Sequence, residues 1–166
     1  INGIKKVRSA MTVEIESFEE MRAIVLRHTG PYQNCGEVWG KLYQWAGPRG
    51  LVSADSMAIG LSYDDPDKVA EAELRYDCCI TIGDSEVEES EGVKVETLAA
   101  ADFVKLRHLG SYSGLHASFD KLYHELLPAS GLKMRDDIPC REIYRNDCTN
   151  TPEEELITDI YTPVQR

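Results

Sequence analysis

Leu26-Arg27-His28-Thr29-Gly30-Pro31-Tyr32 returns 80 residues later as Leu106-Arg107-His108-Leu109-Gly110-Ser111-Tyr112. At the same spacing Lys41-Leu42-Tyr43 returns as Lys121-Leu122-Tyr123, and Trp39 returns as Phe119. Gly50-Leu51 and Gly131-Leu132 extend the match with one residue inserted. A unit of this length seen only twice does not build a solenoid. It predicts two related halves about a pseudo-twofold axis, with the seam between them as a place for a ligand.

Within the first half, Val13-Glu14-Ile15-Glu16 alternates as a strand does, and Met21 to His28 is a second strand rich in Ile24, Val25 and Leu26. From Tyr32 the period changes. Cys35, Val38, Trp39, Leu42 and Tyr43 form an apolar helical stripe that Gly47-Pro48-Arg49-Gly50 ends. Met57 to Tyr63 and Glu71 to Ile82 read as two more strands, separated by the turn residues Asp64-Asp65-Pro66. The second half repeats the plan: strands over 93–97 and 103–108, then a helix carrying Leu115, Phe119, Leu122, Tyr123 and Leu126 that Leu127-Pro128 closes. Strands over 138–146 and 157–164 follow, joined by a loop from Asp147 to Pro152. The expected class is α+β: two β-α-β-β modules, an antiparallel sheet with helices on one face, and a ligand cleft between the modules. Half one spans 11–83 and half two 92–166, with an acidic connector between them. Residues 1–10 read as a weakly ordered linker from a preceding domain or a cloning remnant, since the chain begins with Ile rather than Met.

The 166 residues carry a formal net charge of −11. Such a surface repels phosphate backbones, so direct nucleic-acid binding by this chain is not expected, and cationic ligands or a basic protein partner are favoured. No apolar run reaches membrane-spanning length and no signal peptide is visible, which predicts a cytoplasmic protein without membrane contact. Cys35, Cys78, Cys79, Cys140 and Cys148 are an odd number without metal-ligand spacing, which predicts reduced thiols and no metal site. The sequence calls for no cofactor. His28 and His108 are duplicated and therefore read as architecture rather than catalysis.

The informative position is one where the halves disagree. Carrying forward the offset set by Gly50 and Gly131 places Tyr144 on Tyr63 and Glu142 on Leu61. A carboxylate standing where the other half has a core leucine needs a partner or a purpose. Glu142 and Tyr144 share a strand face, and Tyr63, Tyr76, Trp39, Phe119 and Tyr161 are the aromatic residues expected around them. Aromatic walls with one buried negative charge suit a flat cationic or amphipathic guest.

The phrases already quoted, with Trp39, Trp45, Leu74-Arg75-Tyr76-Asp77, Leu127-Pro128-Ala129-Ser130-Gly131, Glu142-Ile143-Tyr144-Arg145-Asn146 and Ile160-Tyr161-Thr162-Pro163, resemble the GyrI-like (AraC effector-binding) family from about Met11 to the C-terminus. The resemblance implies a small-molecule-binding effector domain of an AraC-type transcriptional regulator, in which the glutamate of the Glu-x-Tyr pattern, here Glu142, attracts cationic drugs. It also admits two alternatives: a stand-alone DNA gyrase inhibitory or toxin-protective protein, with DNA gyrase as partner, or a hydrolase of cyclopropane-bearing DNA alkylators. In the last case Glu142 would be the catalytic acid or base. An enzyme is the least favoured of the three, because nothing in the sequence separates a binding carboxylate from a catalytic one.

Overall fold

The structure, a computed structural model, describes residues 2–7 and 11–165. In chain order its strands are β1 (Asn2–Val7), β2 (Met11–Phe18), β3 (Met21–Thr29), β4 (Ala58–Ser62), β5 (Arg75–Thr81), β6 (Lys94–Leu98), β7 (Ala101–Leu109), β8 (Lys133–Met134), β9 (Cys140–Tyr144) and β10 (Ile157–Gln165). Its helices are α1 (Gly36–Ala46), α2 (Leu115–Lys121) and α3 (Leu127–Ser130), the last two joined by a π-helical turn over Leu122–Leu126. They form two compact units, one of residues 20–99 and one of residues 1–19 with 100–166.

In the 20–99 unit, β4 pairs with β5, β5 with β3 and β3 with β6, all antiparallel. Alternation places Ile24, Cys78 and Ile80 on the face that α1 covers with Leu42, Trp45 and Ala46. Glu71–Glu73, expected inside a strand, is a 3-10 turn, and the strand begins at Arg75. In the other unit β1 pairs with β2, β2 with β7, β7 with β10, and β10 with both β9 and the short β8, again antiparallel. Val104, Ile160 and Val164 meet Leu122, Leu126 and Leu127 of the helical segment. Each unit is a sheet with helix on one face, as the α+β reading expected. Among the described residues no helix is long and apolar enough to cross a membrane.

The units do not follow the sequence halves strand for strand. Residues 11–18 join β7 of the later unit, where Ile15 faces Val104, and residues 94–98 join β3 of the earlier one. Ile15 and Val104 are both buried, so the pairing is fixed by burial rather than by nearness in the chain. Of the leading residues, expected to be a weakly ordered linker or remnant, 2–7 form β1 against 11–16. The rest of that segment lies outside the described residues.

The repeated Leu-Arg-His-x-Gly-x-Tyr frame has one structural job in both units. Arg27 grips the buried Asp77 carboxylate at 2.6 and 3.0 Å, and Arg107 grips Asp159 at 2.9 and 3.0 Å. His28 Nε2 lies 2.9 Å from the Pro31 carbonyl oxygen, and His108 Nε2 lies 2.7 Å from that of Ser111. Gly30 and Gly110 adopt φ of 127° and 101°, which lets each donate its N–H at 2.8 Å to the carbonyl of Leu74 and of Leu156. The frame therefore ties a strand end both to the neighbouring strand, β5 or β10, and to the loop that leads into the helix.

The inserted residues also have locations. The first is absorbed by the π turn, whose wider i→i+5 winding holds one more residue than an α turn. The helix thus runs through Pro128 and ends at the left-handed Gly131, where Leu127-Pro128 had been expected to close it; Gly50 ends the matching helix region. A second residue enters between Gly131 and β9, and it shifts the comparison of the halves by one more position.

Candidate functional site

In β9, Cys140, Glu142 and Tyr144 alternate with Arg141 and Ile143. Glu142 lies opposite Ile160 and Tyr144 opposite Thr158, which puts them on the helix-covered face. Glu142 is 7% exposed, and its Oε2 accepts a hydrogen bond of 2.5 Å from the Tyr144 hydroxyl. The Tyr144 ring meets Tyr112 edge to face at 5.4 Å. Burial pushes the Tyr112 phenol up to about 12, and Cys148, Asp147 and Glu142 beside it push the same way. Cys140 is 2.7 Å from the Tyr123 hydroxyl; burial pushes its thiol up, against its hydrogen bonds with Tyr123 and Thr162. Phe119 stacks on Tyr123 at 6.4 Å and packs on the cluster that contains Ile160. Glu142, Tyr144 and Phe119 are thus gathered in one layer, with a carboxylate, hydroxyls and aromatic edges able to hold a cation. Among the described residues no cysteine is joined in a disulfide.

Tyr161 is not in that layer. It lies opposite Arg141, so it points to the other face, where it packs edge-on against Phe18 and Phe103 at 5.1 and 6.0 Å. Its hydroxyl accepts from Arg145 at 2.8 Å and donates to Glu16 at 3.1 Å. In the 20–99 unit Tyr63, the counterpart of Arg145, also turns to the buried aspartate, donating to Asp77 at 2.7 Å with Arg27 and Arg75 over its ring. Burial and the Asp77 carboxylate hold the Tyr63 phenol well above its usual range. Both tyrosines serve ion networks rather than an aromatic wall. Tyr76 is fully buried in the core with Tyr32 at 5.7 Å, and Trp39 stacks on Tyr43 at 6.2 Å as Phe119 does on Tyr123. Trp39 and Tyr76 belong to the core layer of α1.

The counterpart assigned to Glu142 also changes. Asp77 and Asp159 are equivalent, each gripped by the arginine of the repeated frame. Asp77 lies opposite Leu61 and Asp159 opposite Ile143. Leu61 therefore matches Ile143, while Glu142 matches Gly60 and Tyr144 matches Ser62. The extra residue before β9 caused the slip, because one residue of register moves every side chain to the other face. A Cβ on Gly60 would lie 1.8 Å from the Tyr76 hydroxyl oxygen and 2.4 Å from its ring. In one unit a tyrosine from the strand beside it occupies the space over a glycine; in the other Thr158 replaces that tyrosine and the Glu142 side chain has room. Tyr112, Cys148 and Thr158 were not singled out from the sequence. Tyr112 stood in the repeated frame itself, and the correct offset would have exposed Thr158.

Two repeated sheet-and-helix units of this kind characterise a class of small-molecule-binding effector domains. The chain belongs to the family described as the GyrI-like small molecule binding domain, which it matches over residues 11–165. It is 26% identical over 155 residues to "Probable transcriptional regulator YgiV" of Escherichia coli K12, covering 93% of this chain and 96% of that protein. The EcmrR C-terminal domain superposes with a TM-score of 0.77 at 19% identity, covering 93% of this chain and 97% of that domain. The chain spans 57% of the EcmrR chain in its DNA complex. SAV2435 bound to tetraphenylphosphonium superposes with a TM-score of 0.67 at 18% identity, covering 93% of this chain and 94% of that one.

Proposed function

We propose that this small-molecule-binding domain takes hydrophobic cations through Glu142, and that it serves as the ligand-sensing part of a transcriptional regulator. The observation that carries the reading is a carboxylate only 7% exposed, hydrogen-bonded to a tyrosine and set against a second aromatic ring. A carboxylate desolvated in this way attracts a delocalised cation, which carries little hydration of its own to lose, and the ring faces add cation–π attraction. The cation in the SAV2435 complex is of that kind. The kinship to YgiV supports the regulatory role. A net charge of −11 leaves DNA contact to another part or partner.

Titration calorimetry with tetraphenylphosphonium and with neutral triphenylphosphine oxide tests the reading. Glu142→Gln keeps the shape and removes the charge, so it should weaken the phosphonium about tenfold or more, roughly 1.4 kcal/mol, and change the oxide little. Equal phosphonium affinity in wild type and variant would remove Glu142 from the role.

A further inference from the structure

Thr158 lies in the middle of the sheet, directly opposite Tyr144 on one side and His108 on the other, and is completely buried. Its hydroxyl oxygen has no hydrogen-bond partner among the described residues. His108 is already engaged with Ser118 at 2.8 Å and with the Ser111 carbonyl at 2.7 Å, and the Tyr144 hydroxyl is turned to Glu142. A buried hydroxyl without a partner is unfavourable, and such a group calls for an explanation. Its counterpart in the other unit is Tyr76, whose phenol lies over Gly60. The exchange of tyrosine for threonine therefore does two things at once. It gives Glu142 its room, and it leaves a hydrogen-bonding group two residues along β10 from Ile160, the residue opposite Glu142.

We infer that the Thr158 hydroxyl is a second polar contact for the ligand, so that the site prefers a hydrophobic cation carrying a hydrogen-bonding group over one that is wholly apolar. The inference rests on the proposed cation site at Glu142. Diagonal neighbours on adjacent antiparallel strands stand roughly 7–8 Å apart, so the group belongs about one aromatic ring's length from the charge. The half-buried Tyr144 ring stands beside Thr158 on the same face, and turning it aside opens the hydroxyl and the Glu142 carboxylate together. The hydroxyl both donates and accepts, which fits a phenol, an aniline or an ether on the guest.

The experiment compares tetraphenylphosphonium with the 2-, 3- and 4-hydroxyphenyl triphenylphosphonium cations, which share its charge and shape and add one hydroxyl. Wild type should bind at least one hydroxylated isomer about fivefold more tightly than the parent. Thr158→Val, which keeps the shape, should abolish that preference while leaving the parent's affinity within about twofold, and Thr158→Ser should retain it. The ligand-free Thr158→Val protein should be no less stable to urea than wild type, because the hydroxyl it loses has no partner. A preference that survives in Thr158→Val, the absence of any preference in wild type, or a clear loss of stability in that variant overturns the inference. Should no phosphonium bind wild type, or Glu142→Gln weaken none of them, the cation site itself has failed, a different pattern from a lost hydroxyl preference alone.

Discussion

Asp159→Asn should lower the stability of the protein by about 3 kcal/mol, read as a shift of the urea midpoint at constant slope. Asp159 is fully buried at the centre of a cationic cluster: Arg107 holds it at 2.9 and 3.0 Å, Arg145 at 2.7 Å, and Lys105 stands 3.6 Å away. Removing the charge leaves three cations facing a neutral amide. Arg107 is half exposed, and solvent screening there sets the expected value at the lower end for a broken buried pair. A loss under about 1 kcal/mol would mean that the cluster behaves like an ordinary surface pair.

The same residue predicts a pH dependence. Burial pushes the Asp159 carboxyl up, but hydrogen bonds from Arg107 and Arg145 and the Lys105 charge outweigh it, and the group is held below the usual carboxylate range. A folded pKa below the unfolded value of about 3.9 means that the folded state favours the ionised form. The contribution is therefore complete above that pH and is lost as pH falls through the folded value. The stability difference between wild type and Asp159→Asn should be flat across neutral pH and shrink as the medium becomes acidic below about pH 4.

Gly60→Ala should cost about 3 kcal/mol, more than glycine-to-alanine changes elsewhere in a strand. The added methyl would fall 1.8 Å from the Tyr76 hydroxyl oxygen and 2.4 Å from the ring carbon that bears it. Tyr76 is fully buried and has nowhere to withdraw. Two backgrounds separate this cause from a general intolerance of β4. With Tyr76→Phe the hydroxyl is gone but the ring carbon still collides, so most of the cost should remain. With Tyr76→Thr, the residue that the other unit uses at Thr158, Gly60→Ala should cost little. The double-mutant cycle should then give a coupling of about 2 kcal/mol in the compensating direction. Additive effects would mean that the glycine and the tyrosine are not exchanging one volume.

That exchange also shows why the site was only partly legible in the sequence. The repeat made Glu142 conspicuous, and the structure buries it beside Tyr144. The residue that the visible spacing sets against it, Leu61, lies on the opposite face from its true counterpart Gly60. The sequence displayed one inserted residue, at Gly131; the second, before β9, falls where the halves share no recognisable residues. A single uncounted residue was enough to misassign a face. Tyr63 entered the expected aromatic wall for the same reason, whereas Tyr161 lies on the face of β10 away from Ile160. Their phenols complete the buried ion networks around Asp77 and Asp159.

What the sequence determined by itself was the plan and its ruler. The frame occurs twice because its arginine, histidine and glycine make the same contacts in each unit, and a shared set of contacts leaves a repeated spacing in the chain. The strand and helix periods around that frame were sufficient to define two sheet-and-helix units. Only the tertiary structure decided which strands complete each sheet, with residues 11–18 joining β7 and 94–98 joining β3. It alone placed Thr158 beside Tyr144 and set Tyr76 over Gly60. Those facts depend on pairing register between distant segments, which is chosen by mutual burial and leaves no mark in either strand read alone.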